Sequence, residues 1–178
     1  MQVDAEAVTV KLASRSERIV IECLSQFYMY DFSEMEPTGS GKLEFDDQGS
    51  YPSLPSLDSY WRLEGFWPLL IHLGQSLVGF ALINTHSHRG GSVEHNMDEF
   101  FVARKYRGRG VAAEAVRRIF LQYPGCWEIA VAARNVRALA FWSHTLAKTP
   151  NVCHLVLHEG DSAHWRGPIW SFTAVASN

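Results

Sequence analysis

Apolar residues recur with two different periods along the chain, and their order predicts alternating strands and helices. Short apolar runs bounded by Gly, Asn or Pro predict strands over residues 66–72, 77–84, 97–102, 127–133, 152–157 and 169–175. Apolar residues three to four positions apart predict helices over residues 16–32, 111–120 and 135–146. In the first helix, the pattern favours a buried face made of Ile19, Cys23, Phe27 and Tyr30.

An Arg- and Gly-rich turn joins the 97–102 strand directly to the 111–120 helix. Glycine lets the backbone approach a ligand closely, and a helix begins with unpaired N–H groups and a positive dipole end. The segment is therefore typical of a phosphate site. A Walker loop is excluded because no Gly-Lys-Ser/Thr follows the turn, and a dinucleotide fingerprint is excluded because the three-glycine spacing is missing.

The turn contains Arg107-x-x-Gly110-x-Ala112, preceded by Val102 and Tyr106. This pattern resembles the pyrophosphate-binding signature of the GNAT superfamily of acetyl-CoA-dependent N-acetyltransferases. A second landmark of that family is an Asn that opens a helix, with Ala three and an aromatic residue seven positions on. It is matched here by Asn135, Ala138 and Trp142.

The resemblance implies an α/β fold with a central mixed, mostly antiparallel sheet, helices on both faces, and a parallel strand pair that splays apart near Val102 and Ala133. It implies acetyl-CoA as co-substrate and one acetyltransferase domain over residues 1–178. The residues that it places at the coenzyme are Phe101, Val102, Arg107, Gly108, Arg109, Gly110, Val111, Ala112, Asn135, Ala138 and Trp142.

Two carboxylates on the 97–102 strand, Asp98 and Glu99, are the candidates for a catalytic base. A primary amine is mostly protonated at neutral pH, and only its lone pair can attack a thioester. Strand alternation predicts that the two side chains point to opposite faces. Glu99 is preferred because many family members carry an acid three residues before the position of Val102. A backbone N–H near Phe101 or Val102 would polarise the thioester oxygen.

The sequence departs from the family at Trp142, where the usual general acid is a Tyr. An indole N–H does not supply such a proton. Acetyl transfer to an amine by direct attack is the favoured function. A non-catalytic acyl-CoA-binding or regulatory GNAT-like module is the alternative.

Charge is divided unevenly along the chain. Residues 1–66 contain 12 Asp or Glu against 5 Lys or Arg, whereas residues 67–178 contain 7 against 11. The acidic half suits a cationic, amine-bearing acceptor that docks near Asp31, Glu34, Glu36 and the Gly-, Ser- and Pro-rich segment 33–57. The alternative is that these carboxylates only solvate the surface.

Other function classes find less support in the 178 residues. The apolar runs are shorter than the ~20 residues of a membrane helix, and no signal-type segment is visible, so a cytoplasmic protein is expected. A net charge of −3 without a broad basic face argues against nucleic-acid binding. His86-x-His88 lacks a third ligand and the three cysteines are far apart, so no metal site is expected and the cysteines are interpreted as small buried residues. A homodimer is left open.

Overall fold

The computed structural model describes residues 7–55, 57–160 and 163–176. Its strands are β1 Val8–Leu12, β2 Trp67–Leu73, β3 Ser76–His86, β4 Ser92–Val102, β5 Gly125–Ala130, β6 Val152–Glu159 and β7 Pro168–Ala174. Its α-helices are α1 Arg18–Ser33, α2 Val111–Gln122 and α3 Val136–Lys148, and the longest described 3-10 helix covers Leu57–Trp61. All nine elements predicted from the sequence are present. The sequence analysis missed β1 and the 3-10 helix.

The strands form one sheet in the order β1-β2-β3-β4-β5-β7-β6. Every neighbouring pair is antiparallel except β4 and β5, which run parallel. Parallel neighbours need a crossover connection, and α2 provides it. The expected mixed, mostly antiparallel sheet is confirmed.

The parallel pair is hydrogen-bonded over a short stretch only. His95 lies opposite Trp127 and Asn96 opposite Glu128, and no pairing follows beyond them in the described strands. Residues 97–102 of β4 continue alongside β3 alone. The two strands therefore separate towards their carboxyl ends, and we call the gap between residues 97–102 of β4 and the end of β5 the wedge.

Helices cover both faces of the sheet. Residues of α2 and α3, among them Phe120 and Trp142, pack with Ile83, Met97 and Trp127. On the opposite face, Ile21 of α1 and Tyr60 of the 3-10 helix belong to a second cluster, which also contains Leu70, Phe80, Leu82 and Phe101. Burial on both faces explains why β3 is apolar along most of its length.

The predicted buried face of α1 is wrong. Ile19, Phe27 and Tyr30 are 59%, 64% and 48% exposed, whereas Ile21 and Ser25 are buried. Polar contacts explain why the side of α1 that contains Ser25 is buried. The Ser25 hydroxyl donates to the carbonyl of Glu22 and accepts from the N–H of Leu54. The helix is apolar on more than one side, so periodicity alone does not identify the buried face.

Two further expectations concern burial and membranes. Cys23 and Cys126 are exposed and Cys153 is intermediate, so the interpretation of the cysteines as buried residues is wrong. Within the described ranges, no helix combines the length and the apolar character needed to cross a membrane.

Candidate active site

Asp98 and Glu99 lie on the same face of the sheet because β4 contains a β-bulge between them and Met97. Leu82 pairs with Glu99 and Ile83 pairs with Met97, which leaves Asp98 as the extra residue. Met97 packs in the α2–α3 cluster, whereas Tyr28 of α1 contacts Glu99 and Tyr60 contacts Asp98. The predicted placement of the two carboxylates on opposite faces is therefore wrong.

Glu99 is a half-buried carboxyl that faces α1. Burial raises its pKa to about 8, and the neighbouring charge of Asp98 acts in the same direction. The hydroxyl of Tyr28 donates a hydrogen bond to Glu99, which partly offsets this rise. Burial also raises the pKa of Tyr28, with the Glu99 charge adding to it, so Tyr28 stays a donor. Glu99 can therefore exchange a proton near neutral pH.

Asp98 is exposed and is held by a chain of polar side chains. The Tyr60 hydroxyl donates to Asp98 over 2.6 Å and lies 3.4 Å from the amide nitrogen of Asn84. Burial raises the pKa of Tyr60, followed by the charge of Asp98. Since the Asn84 amide nitrogen can only donate, the Tyr60 hydroxyl accepts a hydrogen bond from Asn84 and donates one to Asp98. Asp98 is thereby fixed as an acceptor.

The backbone of β4 presents Phe100 and Val102 to the wedge. The N–H of Ala103 donates to Val78 of β3 over 2.8 Å, and the N–H and C=O of alternate strand residues point to the same side. Ala103 and Phe101 are therefore directed towards β3, whereas Val102 and Phe100 are directed away from it. The Phe101 side chain packs against the rings of Phe80 and Tyr28.

The turn after β4 is shaped for close approach to its backbone. Gly108 and Gly110 have φ values of +69° and +84°, and a Cβ on either would meet no described atom within 4 Å. The carbonyl of Gly110 accepts from the N–H of Glu114, which closes the first turn of α2. The N–H groups of Val111 and Ala112 precede any intrahelical acceptor and are directed out of the helix start. The predicted cradle is thus open on its outer side.

A cavity of about 300 Å³ adjoins this turn. Its lining includes Arg109, Gly110, Arg117 and Lys148, together with Glu114. Glu114 binds Arg117 over 2.7 Å and also Arg118, so part of the positive charge is neutralised. Among the described residues, Arg109 and Lys148 form no ion pair, and they leave the cavity with positive charge suited to phosphate.

Arg107 points inwards, not towards the cavity. Its Nε donates to the carbonyl of Val102 over 2.6 Å, and its Nη2 binds Asp31 of α1. Its guanidinium also lies 5.5 Å from the ring centroid of Phe101. Arg107 therefore braces the end of β4 in this state.

The acidic end of α1 is paired with arginines from both sides of the wedge. Glu34 contacts Arg104 on the β4 side over 2.8 Å and Arg137 of α3 over 3.0 Å. Asp31 binds Arg104 over 2.7 Å, and Glu36 binds Arg134 over 2.5 Å. The carboxylates that were expected to attract a cationic acceptor are thus already paired with arginines of the protein. This pairing leaves less negative charge for a cationic acceptor than the sequence predicted.

Asn135 and Trp142, which belong to the second family landmark, make contacts that stabilise the fold. The side-chain oxygen of Asn135 accepts from the N–H of Ala138 over 3.1 Å and caps α3. Trp142 is 5% exposed and packs against Phe100 with ring centroids 5.4 Å apart. Trp142 therefore belongs to the core cluster between the sheet and the α2–α3 layer.

Sequence reasoning missed several buried polar residues near the point where β4 and β5 stop pairing. Asn84, Asn96 and Glu128 are all buried on strands, and the argument from motifs did not select them. The available signal was a single polar residue within an otherwise apolar strand, which is costly unless it is paired or functional.

A family model described as acetyltransferase (GNAT) family matches residues 28–146. The chain belongs to the GNAT acetyltransferase family. The family and the fold expected from the sequence are confirmed, and with them acetyl-CoA as the co-substrate. No curated protein sequence matches the chain.

Solved GNAT structures resemble this fold at low sequence identity. A Thermus thermophilus acetyltransferase is 14% identical, with a TM-score of 0.61, over 98% of this chain and 100% of its own. A GNAT acetyltransferase from Staphylococcus aureus is 15% identical, with a TM-score of 0.58, over 94% and 99%. Spermidine N-acetyltransferase from Vibrio cholerae, solved with CoA and spermine, is 13% identical, with a TM-score of 0.55, over 94% and 95%.

Proposed function

We propose that this GNAT protein transfers an acetyl group from acetyl-CoA to a primary amine by direct attack, with Glu99 as the proton acceptor. The observation that carries this proposal is a half-buried carboxyl of raised pKa beside a pair of splayed parallel strands. The sheet takes strands from Val8 to Ala174, which supports a single domain over residues 1–178.

The raised pKa makes Glu99 a stronger base than an ordinary carboxylate. An alkylammonium has a pKa near ~10, so proton transfer to a carboxylate of pKa near ~4.5 is uphill by about 6 units. With the pKa of Glu99 at about 8, the same transfer is uphill by only about 2 units. Tyr28 holds the Glu99 carboxyl in one place through its hydrogen bond.

Acetyl-CoA supplies the acetyl group as an activated thioester. The backbone N–H groups of Val102 and Phe100 face the wedge and are suited to bind the carbonyl and amide oxygens of the co-substrate. The turn at Gly108–Ala112 is suited to its pyrophosphate, and Arg109 and Lys148 line an adjoining cavity that fits further phosphate. The remaining predicted contacts, Asn135 and Ala138, would act through the position of α3.

The amine as acceptor is supported by Glu99 and Asp98, two carboxylates on one face at the wedge. It is also in keeping with the structural neighbour from Vibrio cholerae, a spermidine N-acetyltransferase solved with spermine. Asp98 is fixed as an acceptor by Tyr60, so it would orient the entering ammonium while Glu99 removes a proton.

A non-catalytic acyl-CoA-binding module is the second candidate. It is favoured by Trp142, which replaces the usual Tyr and is buried in the core. Under this alternative, acetyl-CoA would bind at the α2 turn and no thiol would be released with any amine.

The test is thiol release from acetyl-CoA with a panel of primary amines, together with calorimetric acetyl-CoA binding. We expect Glu99→Gln to lower kcat by about a hundredfold or more while acetyl-CoA affinity stays within a few-fold of the original. Asp98→Asn is the matched control, for which we expect a smaller loss of kcat. Tight binding without thiol release for any amine would favour the second candidate.

A further inference from the structure

The apolar side of α1 that the sequence pattern marks for burial lies on the surface of a single chain. Ile19, Cys23, Phe27 and Tyr30 are exposed. The ring of Phe45, which is 61% exposed, lies 6.2 Å from the ring of Tyr30 between centroids. We call these five residues the α1 patch. A contiguous exposed apolar surface of this kind is typical of an interaction site.

The opposite side of α1 attaches the helix to the sheet. Ile21 is fully buried in the cluster beneath α1, and the Tyr28 hydroxyl donates to Glu99. Successive residues of a helix are rotated by about 100°, so Ile21 and Tyr28 point almost half a turn away from the patch. A molecule bound to the patch would therefore leave these contacts in place.

The helical residues of the patch have nearly the same spacing in both directions. They are four, four and three positions apart and span about 16 Å at about 1.5 Å per residue. An antiparallel copy of α1 therefore places Ile19 opposite Tyr30 and brings Cys23 and Phe27 to the centre. A two-fold interface requires such self-complementarity, because the same surface forms both of its sides.

Unpaired charges of opposite sign lie at the two ends of the patch. Arg15 directly precedes α1 and is exposed. Glu44, Asp46 and Asp47 flank Phe45 at the other end, and they are exposed as well. Within the described ranges, none of these four charged side chains is in an ion pair. An antiparallel arrangement brings Arg15 of each copy towards the acidic segment of the other copy.

The exposed area of the patch suits the apolar part of a dimer interface. Phe27, Tyr30 and Phe45 are each about half to two-thirds exposed, and a large aromatic side chain offers about 150–250 Å². With Ile19, the patch therefore exposes on the order of 400 Å² of apolar surface. A standard interface buries about 800 Å² on each partner, of which about 55–65% is apolar. The patch supplies most of that apolar share, and the charged ends supply a polar rim.

We propose that the α1 patch is the interface of a two-fold homodimer, in which the α1 helices of two copies of this chain pack antiparallel. The periodicity of α1 then marks a face that is buried in the dimer and exposed in the single chain. In this dimer the two Cys23 side chains lie next to the two-fold axis. Glu99 contacts the other side of α1, so both sites remain accessible.

The experiment is sedimentation velocity of the full chain between about 1 µM and about 200 µM, where we expect a monomer–dimer equilibrium. Phe27→Glu places an unpaired charge in both halves of the interface, so the dimer Kd should rise by about tenfold or more. Phe27 is 64% exposed, so the Tm at low concentration should change little. Leu157→Glu is the matched control. It introduces the same charge at an exposed leucine of the edge strand β6 and should leave the dimer Kd unchanged.

Arg15→Glu tests the antiparallel arrangement. It replaces attraction to the acidic segment of the other copy with repulsion, so we expect the dimer Kd to rise a few-fold at low salt. The effect should be smaller at 0.5 M NaCl, because salt screens exposed charges. An unchanged dimer Kd at low salt would overturn the antiparallel arrangement.

Crosslinking locates the interface directly. A short bifunctional maleimide should join two chains through Cys23, so Cys23→Ser should abolish the covalent dimer. Cys126→Ser, which removes another exposed thiol, should retain it. A chain that stays monomeric over the whole concentration range would overturn the proposal and leave the patch to a different partner. A dimer that Leu157→Glu dissociates and Phe27→Glu does not, or crosslinking that survives in Cys23→Ser, would also overturn it.

Discussion

At the scale of single residues, the surroundings of Glu99 determine its chemistry. An exposed glutamate would lose its proton near pH 4.5, whereas burial raises the pKa of Glu99 to about 8. Tyr28 cannot serve as the base, since burial and the Glu99 charge raise its own pKa further. The tyrosine therefore orients the carboxyl and leaves proton transfer to Glu99.

The rate of acetyl transfer should follow the ionisation of Glu99. We expect kcat/KM for the amine to rise with pH up to about 8 and then to level off, because only ionised Glu99 accepts a proton. In Glu99→Gln this limb should disappear, and any remaining increase should follow the free amine alone. The pH dependence of kcat/KM is measured as thiol release between pH 6 and pH 10 with both proteins. If kcat/KM of the variant rises over the same pH range, the rise belongs to the ionisation of another group.

The same pKa predicts how stability depends on pH. The folded protein keeps a proton on Glu99 up to about pH 8, whereas the unfolded chain loses it near 4.5. Between these values the folded state binds more protons, so the contribution of Glu99 to stability falls as pH rises. Glu99→Gln lacks this loss and keeps an oxygen that accepts from Tyr28. Its Tm relative to the original protein should therefore increase between pH 5 and pH 8, as measured by calorimetry. A constant difference in Tm would show that burial does not raise the pKa of Glu99.

At the scale of elements, sequence patterns identify strands and helices better than they identify faces. The order of elements and the glycine turn followed from periodicity and motif spacing, and they are confirmed. The bulge at Asp98 was not predictable, because the extra residue is visible only in the pairing of β4 with β3. The buried side of α1 depends on Ser25 and Tyr28, whose partners lie on other elements. Polar contacts between distant segments decide both features, and local patterns do not record them.

The turn before α2 can be tested with a pair of glycine substitutions. Gly110→Ala adds a methyl group where the backbone is open and places an alanine at a φ of +84°. We expect the Kd for acetyl-CoA to rise about tenfold or more, because the methyl group obstructs the close approach of phosphate. Gly49→Ala is the control, since Gly49 has a φ of +77° and equally open surroundings in the loop before β2. Calorimetric binding and Tm would be measured for both. An equal loss of Tm with unchanged acetyl-CoA affinity in Gly110→Ala would contradict the cradle.

At the scale of the whole molecule, the acidic N-terminal half forms ion pairs with the basic C-terminal half. The carboxylates of α1 meet arginines that follow β4 and β5, so the two halves are joined across the open end of the wedge. These ion pairs are largely exposed, and each contributes little to stability in water. We expect them to have a larger effect on ligand binding, because a phosphate that approaches Arg104 or Arg137 meets a carboxylate already paired with that arginine.

Glu34 is the carboxylate that contacts both sides, and it provides the sharpest test of this arrangement. It binds Arg104, which follows β4, and Arg137 of α3, which follows β5. In Glu34→Gln a competing negative charge is removed, so we expect the acetyl-CoA Kd to fall a few-fold at low salt and the gain to vanish near 0.5 M NaCl, where the Debye length is only about 4 Å. Glu44→Gln removes an exposed charge elsewhere in the acidic half and should leave the Kd unchanged. A weaker acetyl-CoA Kd in Glu34→Gln would show that the carboxylate positions the two arginines for the ligand and does not compete with it.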